Sequence, residues 1–311
     1  MHLSNRKTKI TFDMVGDAKE IFKLDLIDTF VFLSRWVKMM SKIGINVLVE
    51  ISKEIRNAVR PFLGSSEGGR IVGISFGEDH TRLIDQIAEE AVVKYLKRNG
   101  ISCILIGEEG GVQEIGENPK RYLIVDAIDG TTNAVRGIGF ASSALAFASK
   151  DNLKDIKAAA VMNLFSGELY VAERNKGAWR NGKRITTSKT LDLKNSVISV
   201  DLSPITERVS TIIPVMKTAR RVRSLGSASL EICYVASGML DAHLDMRGMI
   251  RTFDFAAAML ILQEAGGVFD LLEVDDKDEI PLTRLRRFSI IAAANRELHS
   301  QIISLIQNCN S

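Results

Sequence analysis

The apolar positions Ile45, Val47, Leu48, Ile51, Ile55 and Val59 fall mostly at helical spacing and Pro61 follows, which predicts a first amphipathic helix. A second is predicted over residues 81–98, with Leu83, Ile84, Ile87, Ala88, Ala91 and Val92 on its buried side and Asn99-Gly100 as its stop. Between them, residues 64–77 hold five glycines and three serines. That composition predicts a flexible loop or hairpin, expected to act as a lid that orders over substrate. Short apolar runs at 103–106 and 122–125 read as buried strands. Further strands are predicted at 143–149, 158–162 and 169–173, and Arg180-Asn181-Gly182-Lys183 as a turn. With no helices between these runs, this half reads as α+β with a mainly antiparallel sheet. Beyond residue 190 the pattern alternates, with strands at 196–200, 242–244 and 289–293 and helices at 205–218, 227–237 and 255–265. Such alternation is α/β-like. The expected organisation is an extension over 1–38, an α+β half over 39–188 and an α/β half over 189–311.

Composition narrows the function. The chain has 311 residues, 46% hydrophobic, and a net charge of +3, ample for a large core and only mildly basic. Arginines cluster at Arg220, Arg221 and Arg223 and at Arg284, Arg286 and Arg287. No aromatic-interleaved RNA-binding signature accompanies them, so they read as solvated faces and no nucleic-acid partner is expected. Cys103, Cys233 and Cys309 match neither a disulfide framework nor a zinc pattern. Lys23, Asp25, Asp28 and Arg35 interrupt the apolar stretch 21–37, so no membrane span is expected there. The expected location is cytoplasmic. The four histidines are scattered, and no Ser/His/Asp or HExxH motif appears. Hydrolysis, if any, falls to carboxylates.

Two strand-like runs end in acid: Gly107-Glu108-Glu109-Gly110, and Asp126-Ala127-Ile128-Asp129-Gly130-Thr131-Thr132-Asn133. Clustered carboxylates at the ends of hydrophobic strands are costly unless something pairs their charge. Hard divalent cations do this with oxygen ligands, magnesium above all where a phosphate completes its shell. A short helix beginning near Thr131 would offer its first amides to a phosphate, with Gly130 allowing close approach. Asp254, ahead of a helix closed by Gly266-Gly267, sits where an N-cap is expected.

Gly107-Glu108-Glu109, residues 126–133 and Phe253-Asp254-Phe255-Ala256-Ala257-Ala258 together resemble the GEE, DPxDGTTN and WDxAAG signatures of the inositol monophosphatase family. Ala127 stands for the usual proline and Phe253 for the usual tryptophan. The likeness runs from about Met40 to the C-terminus. The stretch 241–251 resembles the archaeal branch, some members of which accept inositol phosphates and fructose 1,6-bisphosphate. The resemblance implies a layered αβαβα sandwich, two or three Mg2+ ions, lithium inhibition, a small phosphorylated substrate and a homodimer. Carried over by motif, Glu108, Asp126 and the Ile128 carbonyl would hold one metal, and Asp126, Asp129 and Asp254 a second. Asp85 would stand beside a third; its alternative is a polar helix position. Gly130, Thr131 and Thr132 would bind phosphate. Asp245 and the Gly226-Ser227-Ala228 backbone would face the leaving alcohol. Arg247 and Arg251 are candidates for a second phosphate, with surface arginine as the alternative. Catalysis would rest on Glu108, Thr131 and Asp126, water attacking phosphorus without a covalent intermediate.

The rivals are a 3′-phosphoadenosine 5′-phosphate phosphatase of the same family, a haloacid-dehalogenase-type phosphatase and a non-catalytic RNA- or protein-binding relative. The spacing Asp126-x-x-Asp129-Gly130-Thr131 is one residue too long for the second. The complete acid set argues against the third.

Overall fold

In the computed structural model the described residues are 44–76, 79–272, 274 and 279–308. The expected extension over 1–38 lies outside them. Helix α1 (Ile45–Val59) forms as its periodicity predicts and passes through Pro61 into a 3-10 turn. The glycine-rich stretch contributes β1 (Ile71–Ile74), paired antiparallel with β2 (His80–Arg82). Helix α2 (Leu83–Arg98) follows directly, two residues shorter than predicted because β2 takes Thr81 and Arg82.

The main sheet has eight strands: β3 (Cys103–Gly107), β4 (Gly111–Ile115), β5 (Tyr122–Asp129), β6 (Ser142–Ala148), β7 (Ile156–Asn163), β8 (Leu169–Glu173), β9 (Gly177–Arg180) and β10 (Lys183–Arg184). Their order is β10-β9-β8-β7-β6-β5-β3-β4, and the β3–β5 pair alone is parallel. Helix α3 (Thr131–Arg136) joins β5 to β6. Asn181 and Gly182, at φ 48° and 76°, make the two-residue β9–β10 turn that their sequence predicts.

The second sheet has the order β12-β11-β13-β15-β14, built from β11 (Val197–Val200), β12 (Arg221–Arg223), β13 (Ala242–Arg251), β14 (Val268–Leu272) and β15 (Arg287–Ala293). Helices α4 (Ile213–Thr218), α5 (Ala228–Ala236), α6 (Thr252–Glu264) and α7 (Arg296–Gln307) complete the chain.

Alternation along β5 assigns its side chains to two cores. Leu123 and Val125 pack with α1 and α2, whereas Ile124 faces α5, α6 and the second sheet. Helix α6 is apolar around its whole circumference from Phe255 to Leu262, because sheets lie on both of its sides. The result is the five-layer αβαβα sandwich, and the described residues after 43 cluster as one compact unit. No helix among the described residues is long and apolar enough to cross a membrane.

Candidate active site

Parallel register brings the first two acidic segments together. Gly107 of β3 lies opposite Val125 of β5, so Glu108 and Asp126 follow at the same level. Asp254 arrives from the far core, in the first turn of α6. It is not the N-cap that the sequence suggested. Arg251 holds that position, and Asp254, three residues on, accepts the Arg251 N–H at 2.7 Å. One carboxylate oxygen from each of Glu108, Asp126 and Asp254 lies within 4.8 Å of the others.

Burial pushes the carboxyls of Glu108 and Asp126 well above the usual range, and that of Asp254 above it too. Arg251 opposes this by standing 2.5 Å from Glu108 and 3.2 Å from Asp254. Its guanidinium also meets Asp79 at 2.9 Å and lies 4.7 Å above the Phe253 ring. Asp129 is held differently. Its Oδ2 accepts the Ser227 hydroxyl and the Ser229 N–H, each at 2.7 Å, and the Ser229 hydroxyl, while desolvation still raises it to about 6. Asp129 lines the same cavity but does not join the three-acid cluster.

Asp85, raised to about 7 mainly by burial, accepts the Thr131 hydroxyl at 3.0 Å and the Arg82 N–H at 3.0 Å. The Thr131 hydroxyl also lies 3.1 Å from the Ile128 carbonyl. Gly130, at φ 85°, turns the chain into α3. A cavity of about 170 Å³ holds the acid cluster with Ile128, Gly130, Thr131, Gly226 and Ala228 on its walls. A wider one of about 600 Å³ shares Glu108, Gly130, Thr131 and Gly226, and adds Asp85, Thr132, His80 and Arg82.

Of the expected substrate contacts, Gly226, Ala228, Arg247 and Arg251 line the smaller cavity, whereas Asp245 and Ser227 line neither. Asp245 is fully buried and lines neither cavity, because Arg247 covers it with bonds of 2.9 and 2.6 Å. The Ser227 hydroxyl is turned to Asp129, while the backbone on either side of it, at Gly226 and Ala228, lines the smaller cavity. Arg247 lines the smaller cavity, but Asp245 and Asp201, the latter at 2.8 Å, already pair its charge. Arg251 lines the same cavity, paired with Glu108, Asp254 and Asp79. Asp201, on both cavity walls, was not anticipated.

Behind the site, Ser199, His243 and Glu231 form a buried line that no substrate can reach. His243 Nδ1 is 2.9 Å from the Ser199 hydroxyl and 3.9 Å from Glu231. Burial lowers His243 to about 4 and raises Glu231 to about 8, so at neutral pH this contact is not an ion pair. Glu231 accepts the Leu225 N–H and so steadies the 225–227 loop. The folded protein keeps a proton that an ordinary glutamate releases near 4.5. Its contribution to stability is therefore complete below 4.5 and is lost as pH rises through about 8. Glu231→Gln should flatten the decline of melting temperature across that window; an unchanged slope would place the decline elsewhere.

The donor set fits a hard divalent cation. It is all oxygen, it converges, and Asp126 Oδ1 is buried with no hydrogen-bond partner among the described residues.

The inositol monophosphatase family model matches residues 36–311. The fructose-1,6-bisphosphatase/inositol-1-monophosphatase of Methanothermobacter thermautotrophicus is 34% identical over 270 residues, covering 84% of this chain and 95% of that protein. The bifunctional NADP phosphatase/NAD kinase of Methanococcus maripaludis is 33% identical over 286 residues, covering 85% of this chain but 49% of that protein, about half its length. A crystal structure of an inositol monophosphatase-fructose 1,6 bisphosphatase superposes with a TM-score of 0.73 at 29% identity, covering 84% of this chain and 98% of that one. Layered sandwich and acid cluster together define a phosphatase for small phosphorylated substrates. The chain belongs to the inositol monophosphatase family.

Proposed function

We propose that this chain is a magnesium-dependent phosphatase that hydrolyses inositol monophosphate or fructose 1,6-bisphosphate without forming a phosphoenzyme. One observation carries the reading: one carboxylate oxygen from each of Glu108, Asp126 and Asp254, remote in sequence, lies within 4.8 Å of the others, and Asp126 Oδ1 is buried with no hydrogen-bond partner among the described residues. Glu108, Asp126 and the Ile128 carbonyl would hold one cation; Asp126, Asp129 and Asp254 would hold a second, with Asp85 beside a third. Bound cations would neutralise charge developing on the phosphate and on the leaving oxygen and lower the pKa of attacking water. The remaining tasks fall to the chain. Thr131, its hydroxyl fixed between Asp85 and Ile128, orients the water and relays its proton toward the carboxylates. Gly130, Thr131 and Thr132 receive the phosphate, and Gly226 and Ala228 bound the leaving alcohol.

Turnover should require magnesium, stop in excess chelator and fall with lithium. Phosphate release from inositol 1-phosphate, fructose 1,6-bisphosphate and 3′-phosphoadenosine 5′-phosphate, assayed side by side, tests both class and substrate. Undiminished turnover in chelator removes the cation reading. The 600 Å³ cavity beside the acids favours a second reading, a larger substrate such as NADP, the substrate named for one relative. NADP belongs in the same assay.

A further inference from the structure

Glu89 is an acid of α2 that is 6% exposed, among the buried residues Ile84, Ala88 and Val92. Among the described residues its hydrogen bonds go elsewhere than to Glu108, Asp126 or Asp254. Its Oε2 accepts the Glu109 N–H at 3.0 Å, and its Oε1 accepts the Gly110 N–H at 2.8 Å and the Gln113 amide at 3.2 Å. All three partners are donors, so both carboxylate oxygens are matched and the turn between β3 and β4 is gripped through its backbone.

The glycines of the motif record this grip. A Cβ on Gly107 would lie 2.6 Å from Glu89 Oε2, and one on Gly110 would lie 2.0 Å from Gln113 Nε2 and 2.5 Å from Glu89 Oε1. Larger residues at either position would displace the carboxylate. Glu109 in turn accepts the Thr81 hydroxyl through its side chain and the Phe76 N–H, at 3.2 Å, through its carbonyl. Asp85, one helical turn before Glu89, holds Thr131. The same face of α2 therefore supports the ends of both β3 and β5.

We propose that Glu89 is a positioning residue for cation binding: by clamping the Glu109 and Gly110 amides it sets the direction in which Glu108 projects toward Asp126 and Asp254. This rests on the reading that Glu108 is a cation ligand. A purely structural cap would stabilise the turn but leave the affinity of the folded protein for cations unchanged.

Glu89→Gln separates the two. The amide keeps the shape but has one acceptor oxygen, so one backbone N–H faces a donor instead. Manganese affinity, measured by paramagnetic resonance or calorimetry on the intact chain, should weaken by about tenfold or more, following the scale for supports of metal ligands. Half-saturation by magnesium in the phosphatase assay should rise in parallel, with turnover recovered at high magnesium. Unchanged manganese affinity in folded Glu89→Gln overturns the proposal, whatever happens to melting temperature. Should that variant fail to fold, Gln113→Glu decides the matter. It sets a like charge beside Glu89 from a half-buried position, and unaltered affinity there overturns the proposal equally. Wild-type protein that binds no manganese overturns the cation reading as well. Wild-type binding that persists in the variants overturns this inference alone.

Discussion

Asp254→Asn should lower turnover by about a thousandfold or more while leaving the fold intact. That factor corresponds to about 4 kcal/mol of transition-state stabilisation, the scale expected when a charge-neutralising centre loses an anionic ligand. Stability should survive because the local bond is retained: the Asn oxygen can still accept the Arg251 N–H that Asp254 accepts at 2.7 Å. Burial holds Glu108 and Asp126 above their usual range, and repulsion from Asp254 adds to it, so removing that charge also relieves repulsion. In chelator the variant should therefore melt at or above the wild-type temperature. In magnesium the wild type should gain stability by binding linkage, and the variant should gain less. A capping role alone predicts near-normal turnover with a lowered melting temperature. Measuring turnover and both melting temperatures on one preparation separates the readings.

The sequence was most legible where a segment's own pattern determines its structure. Helix α1 spans the residues its periodicity marks, because it lays one apolar face on the main sheet and leaves the other in water. Strand β13 was read as three residues and runs for ten. Beyond the predicted residues it carries Asp245, Arg247 and Arg251, charges that look like a surface loop until they pair with one another and with acids of distant segments. Strands β12 and β14 lie at sheet edges, where little burial marks them. Helix α7 escaped notice although Leu298, Ile302 and Ile306 repeat every four residues and are its buried positions.

The site divides in the same way. Its cluster acids stand in motifs that the sequence displays, whereas the residues holding them do not. Glu89 and Asp201 look like solvated polar positions. For Glu89 a signal was present: with Asp85 it forms an i, i+4 pair of acids on the very face that Ile84, Ala88 and Val92 define as buried. Two acids on the apolar face of an amphipathic helix need partners, and here those are Thr131 and the 109–110 amides. The substrate side was harder to read, because Arg247 also pairs with Asp201 and the Ser203 carbonyl, more than forty positions away, which no local pattern marks.

Gly130→Ala should be the most damaging single-methyl change in the site. Gly130 sits at φ 85°, in the left-handed region, where an alanine costs roughly 1–2 kcal/mol. Space is the larger problem. The added Cβ would lie 2.7 Å from the Gly226 carbonyl, 3.2 Å from Ser227 Cβ and 3.3 Å from the Phe140 carbonyl. Those groups cannot swing aside easily, since Asn133 binds the Phe140 carbonyl at 2.8 Å and the Leu225 carbonyl at 2.7 Å. Relief must come from moving the turn that carries Asp129 and Thr131, or the 225–227 loop that faces it. A displacement near 1 Å at reacting groups costs about a hundredfold in rate. Turnover should fall by about that factor or more, and melting temperature by several degrees. Gly182→Ala supplies the control. It has a comparable φ of 76° but nothing within 4 Å of the added Cβ. It should show only the small backbone penalty, with turnover unchanged. Equal losses in the two variants would trace the damage to backbone conformation alone and remove the steric coupling between the Gly130 turn and the 225–227 loop.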